Sequence, residues 1–364
     1  PIPGDIIQNQ TTDGRTEVGA LLVWLTPHGF LKGAAANAAT ATVSRVGGKN
    51  VVSFTAGKYK VTGTLSDRNL VERVETYMDI AFSGDTLFEG IYSDYRNFGG
   101  VQYPMHINMR QGGFSILELT LTDVQPNSPE ATAVRVTPQA GREGGPPSEP
   151  ERIANGVWFM SPGGEASTLV EFNDYAVLVE GPGNDALTER TLAKAQEMFP
   201  NKPVRYVVNS HHHADHAGGI RAFVAAGIPI VTHESHRQYY EREILANPHT
   251  LNPDRLARAP RAAMIETVSD KRVFTDSSMT LEVHLLRDSD HAEGLLIGYI
   301  PQERIIIQAD AFHPRPGAKP LPAPSPVTIN LVENIERLKL NVERVVHIHG
   351  GISPYADVLK AAGR

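Results

Sequence analysis

Cysteine is absent from all 364 residues. That excludes disulfides, thiolate zinc ribbons and a thiol nucleophile, so any metal site must be built from histidine and carboxylates. A chain without thiols also fits an extracytoplasmic home, and its start at Pro1 rather than Met leads us to expect a processed or trimmed N-terminus. Long apolar runs are lacking too. The longest early one, Ala20 to Leu25, is far too short for an integral membrane segment. No long basic run offsets the net charge of -7, which argues against nucleic acid as a partner. There is no G-x-S-x-G elbow and no Walker loop. Gly181 to Ala186 formally fits G-x-G-x-x-A after a strand, but the acidic residue that a dinucleotide site needs about twenty positions further on is missing. It reads as a tight turn.

What remains is an ordinary globular composition, 41% hydrophobic and 21% charged, long enough for two domains with a core each. Residues 1 to about 15 read as an arm, and Glu17 to Asn37 as short helices interrupted at Thr26-Pro27. From Val51 to Leu121 short runs alternate apolar with polar between glycine pairs, the pattern of an antiparallel sheet of hairpins. The spacing therefore predicts an N-terminal α+β sheet domain over 1–124 that carries short helices. Gln125 to Arg152, with six prolines, three glycines and no period, predicts a linker. Over 153–364 strand-like and helix-like runs alternate, as in a mixed α/β domain. Within it, Asn247 to Asp270 matches no period and reads either as a lid or as a surface excursion.

One stretch organises the second domain: Tyr206 to Gly219, YVVNSHHHADHAGG. An apolar, β-branched strand breaks into His211, His212, His213, Ala214, Asp215 and His216, then closes on Gly218-Gly219. Residues two apart in extended chain point to one side, so His211 and His213 can grip one cation together. The turn that follows re-aims Asp215 and His216 toward a second cation. Further ligands should then stand at the C-terminal ends of other apolar strands, where α/β sites are assembled. Three residues do: His291 after Leu281 to Leu286, Asp310 after Ile305-Ile306-Ile307, and His349 after Val345 to Ile348.

In its H-x-H-x-D-H run followed by His291, Asp310 and His349 in that order, the chain from about 153 to 360 resembles the metallo-β-lactamase superfamily. The resemblance implies an αββα sandwich with the metals at one edge. It implies a first site of His211, His213 and His291, a second of Asp215, His216 and His349, and Asp310 bridging them. A carboxylate at that bridging position is more similar to the glyoxalase II and lactonase-like branches than to class B β-lactamases that use cysteine there. The sequence departs from the family in reading His347-Ile348-His349-Gly350 where Pro-Gly often precedes the histidine. In the first domain, Tyr92 to Arg96 with Gly100 and Tyr103-Pro104 is similar to the half-barrel of periplasmic lipoprotein carriers, which adds to the expectation of a periplasmic or secreted protein.

Two divalent cations can share a water and lower its pKa to near neutral, with Asp215 placed to take the proton of the attacking hydroxide. Zinc is the default for such ligands, and iron or manganese are also accepted. These features predict a binuclear metal-dependent hydrolase for a small-molecule ester, lactone, amide or β-lactam. A mononuclear iron oxidoreductase of the persulfide dioxygenase type and a non-catalytic carrier of apolar ligands are the rival classes. Among the other histidines, His347 and His313 are candidates to support the ligands or line the substrate pocket. His212 faces away from its neighbours, His284 sits inside a strand, and His233 and His236 stand where a helix cap is the simpler account.

Overall fold

A computed structural model describes residues 19, 21–129, 147–161, 163, 165–181, 183–314 and 323–364. The chain divides into two compact units. The first holds one seven-stranded antiparallel sheet in simple sequence order. Its strands are β1 (Thr42–Val46), β2 (Lys49–Ala56), β3 (Tyr59–Leu65), β4 (Val71–Ile80), β5 (Gly84–Phe98), β6 (Val101–Gln111) and β7 (Phe114–Thr120). Left-handed backbone at Gly99-Gly100 and Gly112-Gly113 makes the two-residue turns that join the last three strands. Helix α1 (Pro27–Ala36) starts as the Thr26-Pro27 pair predicts, with Thr26 as N-cap and proline at the first helical position. Leu21, Leu25 and Phe30 pack against Phe54, Val61, Val74, Met78 and Phe88 of the sheet. The Phe30 ring reaches this depth because Gly63 has no Cβ, which would stand 2.3 Å from it.

Pro248–Asn252 also belongs to this first unit. Asp85 holds it, accepting from the backbone N–H of Thr250 at 2.9 Å and of Leu251 at 3.1 Å. Within the 247–270 stretch this segment is therefore anchored to the first sheet. Past that segment the stretch forms a short helix, and Ile265–Val268 is a strand paired in the second unit. The proposed linker 125–152 lies outside the described residues over 130–146, and its last two residues, Glu151 and Arg152, already begin a strand.

The second unit stacks two sheets between helices. In the first sheet, order β14-β13-β12-β11-β10-β9-β8, the strands are β8 (Glu151–Ala154), β9 (Val157–Met160), β10 (Ser167–Glu171), β11 (Ala176–Val179), β12 (Val204–Val208), β13 (Ile230–His233) and β14 (Ile265–Val268). The second runs in sequence order through β15 (Lys271–Thr275), β16 (Thr280–Leu285), β17 (Leu296–Ile300), β18 (Ile305–Gln308), β19 (Arg344–His347) and β20 (Gly351–Pro354). Helices α2 (Asp185–Met198), α3 (Ala214–Ala217) and α4 (Ile220–Ala226) cover the first sheet, and α5 (Pro326–Arg337) and α6 (Tyr355–Ala361) cover the second.

The apolar runs explain the layering. Along β11, Val177 and Val179 face the core between the sheets while Ala176 and Leu178 face the helices. In β18, Ile305 and Ile307 point inward and Ile306 outward under α5. A strand covered on both faces is apolar at every position, and each buried aliphatic side chain contributes about 1.5–3 kcal/mol. Polar residues can then appear only where these strands end. This is the αββα sandwich, joined in one chain to a seven-stranded antiparallel sheet. Among the described residues no helix is long and apolar enough to cross a membrane.

Candidate metal centre

Strand β12 is the keel of the site. After Val207 and Val208 the chain leaves the sheet through Asn209 and Ser210, and His211 is fully buried beyond them. His213 takes the N-cap position of α3, so the next turn lifts Asp215 and His216 onto the same pole. That turn packs tightly on its neighbour. A Cβ on Gly218 would stand 2.0 Å from the Gly183 carbonyl oxygen.

The other candidates arrive from the second sheet, His291 from the β16–β17 connection, Asp310 just past β18 and His349 just past β19. The seven side chains form two clusters that share Asp310: His211, His213, His291 and Asp310, and Asp215, His216, Asp310 and His349. In the first, His211 Nε2 lies 3.0 Å from His213 Nδ1 and 3.1 Å from His291 Nε2. Asp310 Oδ2 stands 2.9 Å from His291 Nε2 and 3.2 Å from His211 Nε2. In the second, His216 Nε2 and His349 Nε2 are 3.0 Å apart. Asp215 Oδ2 lies 3.3 Å from His349 Nε2, and Asp310 Oδ2 3.1 Å from His216 Nε2.

These distances test the fit to a metal. Donor atoms at zinc–nitrogen bond lengths around a tetrahedral ion sit about 3.3 Å from one another. The ring nitrogens here are spaced close to that and face one another, an arrangement that either shared ring protons or a cation between them would satisfy. The residues present fit two divalent cations.

The electrostatics agree. Burial opposes charge on His216, yet Glu180 and Asp310 outweigh it and hold the imidazole well above the usual histidine range. His349 is pushed up to about 9, with Asp215 and Asp310 overcoming its burial. Asp310 is buried as well, but its imidazole neighbours keep it far below the usual carboxylate range. Burial and the adjacent His211 and His291 bring His213 down to about 4. Positive charge is wanted around Asp310, and burial disfavours a proton on His211 and His213 of the first cluster, as cation binding there requires.

Three residues of the site escape a reading of the sequence. Glu180 follows β11 in left-handed backbone, φ 77°, and is almost wholly buried. Its Oε2 lies 3.1 Å from His216 Nδ1 and also accepts the Ser210 hydroxyl. Ser210 Oγ in turn stands 2.9 Å from His211 Nδ1. Asn209 donates from Nδ2 to Glu180 Oε1 at 3.0 Å and to the His216 carbonyl at 2.9 Å. One carboxylate thus orients a histidine of each cluster, the usual arrangement around metal-bound imidazole. The available signal was an acid ending a fully apolar strand beside β12.

The remaining histidines separate cleanly. His313 is half exposed at the rim, 3.7 Å from Asp310 Oδ1, with its ring 5.4 Å from that of His349. His347 does not reach either cluster; it is buried between Gln308 and Ser353. The His212 ring turns away to His236 and Tyr239. His284 donates to Glu282 within its strand, and the His233 ring accepts the Ser235 N–H as a helix cap.

Fold and site together define an αββα protein with two histidine–aspartate clusters that share Asp310 and could each hold a metal ion. The family model described as the metallo-beta-lactamase superfamily matches residues 160–349, and the chain belongs to that superfamily. Among solved structures it is similar to a metallo-beta-lactamase from Pontibacter korlensis, at 19% identity over 59% of this chain and 97% of the other, with a TM-score of 0.45. Another is the metallo-beta-lactamase from Hirschia baltica, at 20% identity over 60% and 97%, with a TM-score of 0.44. No curated protein matches the chain.

Proposed function

We propose that the protein is a binuclear metal-dependent hydrolase of a small molecule whose scissile bond is an ester, lactone, amide or β-lactam. The observation that carries this reading is the sharing of Asp310 by two clusters whose other ligands are imidazoles and one further carboxylate. The bound cations supply Lewis acidity and a water of near-neutral pKa. Every other task falls to side chains of the chain itself. Asp310 fixes the spacing of the two clusters. Asp215 is the most open of the carboxylates, with its side chain 36% exposed, and its Oδ2 lies between the rings of His216 and His349. It is held at about 2, since His349 and His216 outweigh its burial, so it is ionised and able to take a proton from the attacking water and pass it to the leaving group. His313 at the rim can donate its ring N–H to a substrate oxygen. Zinc is the cation we propose first, as the common choice for donor sets of imidazole with carboxylate, which iron and manganese also accept.

Metal analysis combined with a panel of lactones, thioesters, β-lactams, phosphodiesters and sulfate esters tests the reading. We expect turnover of one class, abolished by chelation and restored by zinc. Asp215→Asn should lower kcat at least about 100-fold while the fold is kept. Turnover that persists in the chelated protein, or that requires oxygen and iron, would contradict it.

A further inference from the structure

Two buried polar side chains are used by neither cluster. Gln308 closes β18 and His347 closes β19, and the two are direct neighbours in the parallel ladder between those strands. Each stands two residues before a ligand, Gln308 before Asp310 and His347 before His349. Both are essentially inaccessible to solvent. Ladders so apolar otherwise, with Ile305 to Ile307 on one side and Val345-Val346 on the other, bury an amide and an imidazole only when all their hydrogen bonds are made.

They are made, and in one sense only. Gln308 Oε1 accepts the Phe312 N–H at 3.1 Å, and Nε2 donates to the Phe312 carbonyl at 2.8 Å. The amide therefore holds both backbone groups of Phe312 and closes the turn from 308 to 312 that contains Asp310. The second Nε2 proton goes to His347 Nδ1 at 2.7 Å. With Nδ1 accepting, Nε2 carries the ring proton and donates it to Ser353 Oγ at 2.8 Å on β20. The chain of donors runs from the Asp310 turn through His347 to the neighbouring strand, with His349 on the connection between. In addition, the Ile348 N–H donates to the Gln308 carbonyl at 3.1 Å.

We propose that the Gln308–His347–Ser353 relay is a positioning device that sets the aim of Asp310 and His349 together, and thereby the affinity of the second cation site. It rests on the binuclear reading above. The first cluster keeps three imidazoles from other elements if the relay is broken. The second depends on Asp310 and His349 for two of its four donors, so it is the one that loosens.

The test is a titration of the metal-free protein with zinc against a chromophoric chelator, which resolves the two stepwise constants, repeated with cobalt to follow the ligand-field spectrum of each step. In Gln308→Met, similar in length and unable to donate, the second step should weaken about 10–100-fold while the first moves less than about 3-fold. Ser353→Ala, which removes only the last acceptor, should shift the second step in the same direction by less, and it serves as the readout if Gln308→Met does not fold. Equal constants in variant and wild type, or an equal loss in both steps, overturns the relay. Wild-type protein that takes up fewer than two zinc ions overturns the binuclear reading itself, and the relay with it.

Discussion

Glu180 Oε2 lies 3.1 Å from Nδ1 of His216, on the side of the ring opposite the metal cluster, and both residues are almost wholly buried. A carboxylate in this place favours a proton on Nδ1 when a cation is bound, the tautomer that leaves Nε2 of His216 for the cation. Ser210 extends the same control to His211.

Replacing Glu180 by Gln keeps the volume and an acceptor but removes the charge. Zinc affinity should fall about 10–100-fold, with a smaller effect on thermal stability. Competition with a chelator measures it. Unchanged affinity in a folded variant would show that Glu180 only packs.

Gly218 tests how tightly the ligand turn is seated. A Cβ there would stand 2.0 Å from the Gly183 carbonyl, which is backbone and has little room to yield. Gly218→Ala should cost about 1–3 kcal/mol of stability and weaken metal binding, because α3 carries Asp215 and His216. Denaturant unfolding of the metal-free protein, where the two effects separate, is the measurement.

Asp185 gives a pH dependence away from the metals. Burial, and then the nearby Asp254, push its carboxyl up to about 7 although Arg221 is close. Below pH 3.8 the group is protonated both folded and unfolded, and it costs nothing. As pH rises toward 7 the unfolded chain releases the proton while the folded one retains it, so stability falls across that window and levels off above it. The full penalty is at most about 4 kcal/mol. Asp185→Asn should flatten this part of the stability–pH curve and be the more stable protein above pH 7. Parallel curves for the two proteins would refute the assignment.

The residues that the fold gathers into the two clusters could be read from the sequence because they stand where apolar strands stop. His211, His213, Asp215 and His216 announce themselves by spacing, and His291, Asp310 and His349 by their place after strand-like runs taken together with that motif. What escaped depends on neighbours across the sheets. Glu180 looks like any acid ending a strand until β12 is laid beside β11. His347 is next to a ligand strand yet faces Gln308, and only the parallel register shows that. β14 and β20 are four residues each, one in a stretch dotted with proline and arginine and the other spanning Gly351 to Pro354. Neither is long enough to display a period. Pro248–Asn252 could not be assigned from sequence, since its partner Asp85 is distant in the chain.

The most direct test is the anomalous scattering of zinc in crystals of the loaded protein. Two peaks per chain are expected. One should lie about 2.0–2.1 Å from His211 Nε2, His213 Nδ1 and His291 Nε2, and the other at the same distance from His216 Nε2 and His349 Nε2, with Asp310 between them. A single peak, or peaks away from Asp310, would contradict the paired centre.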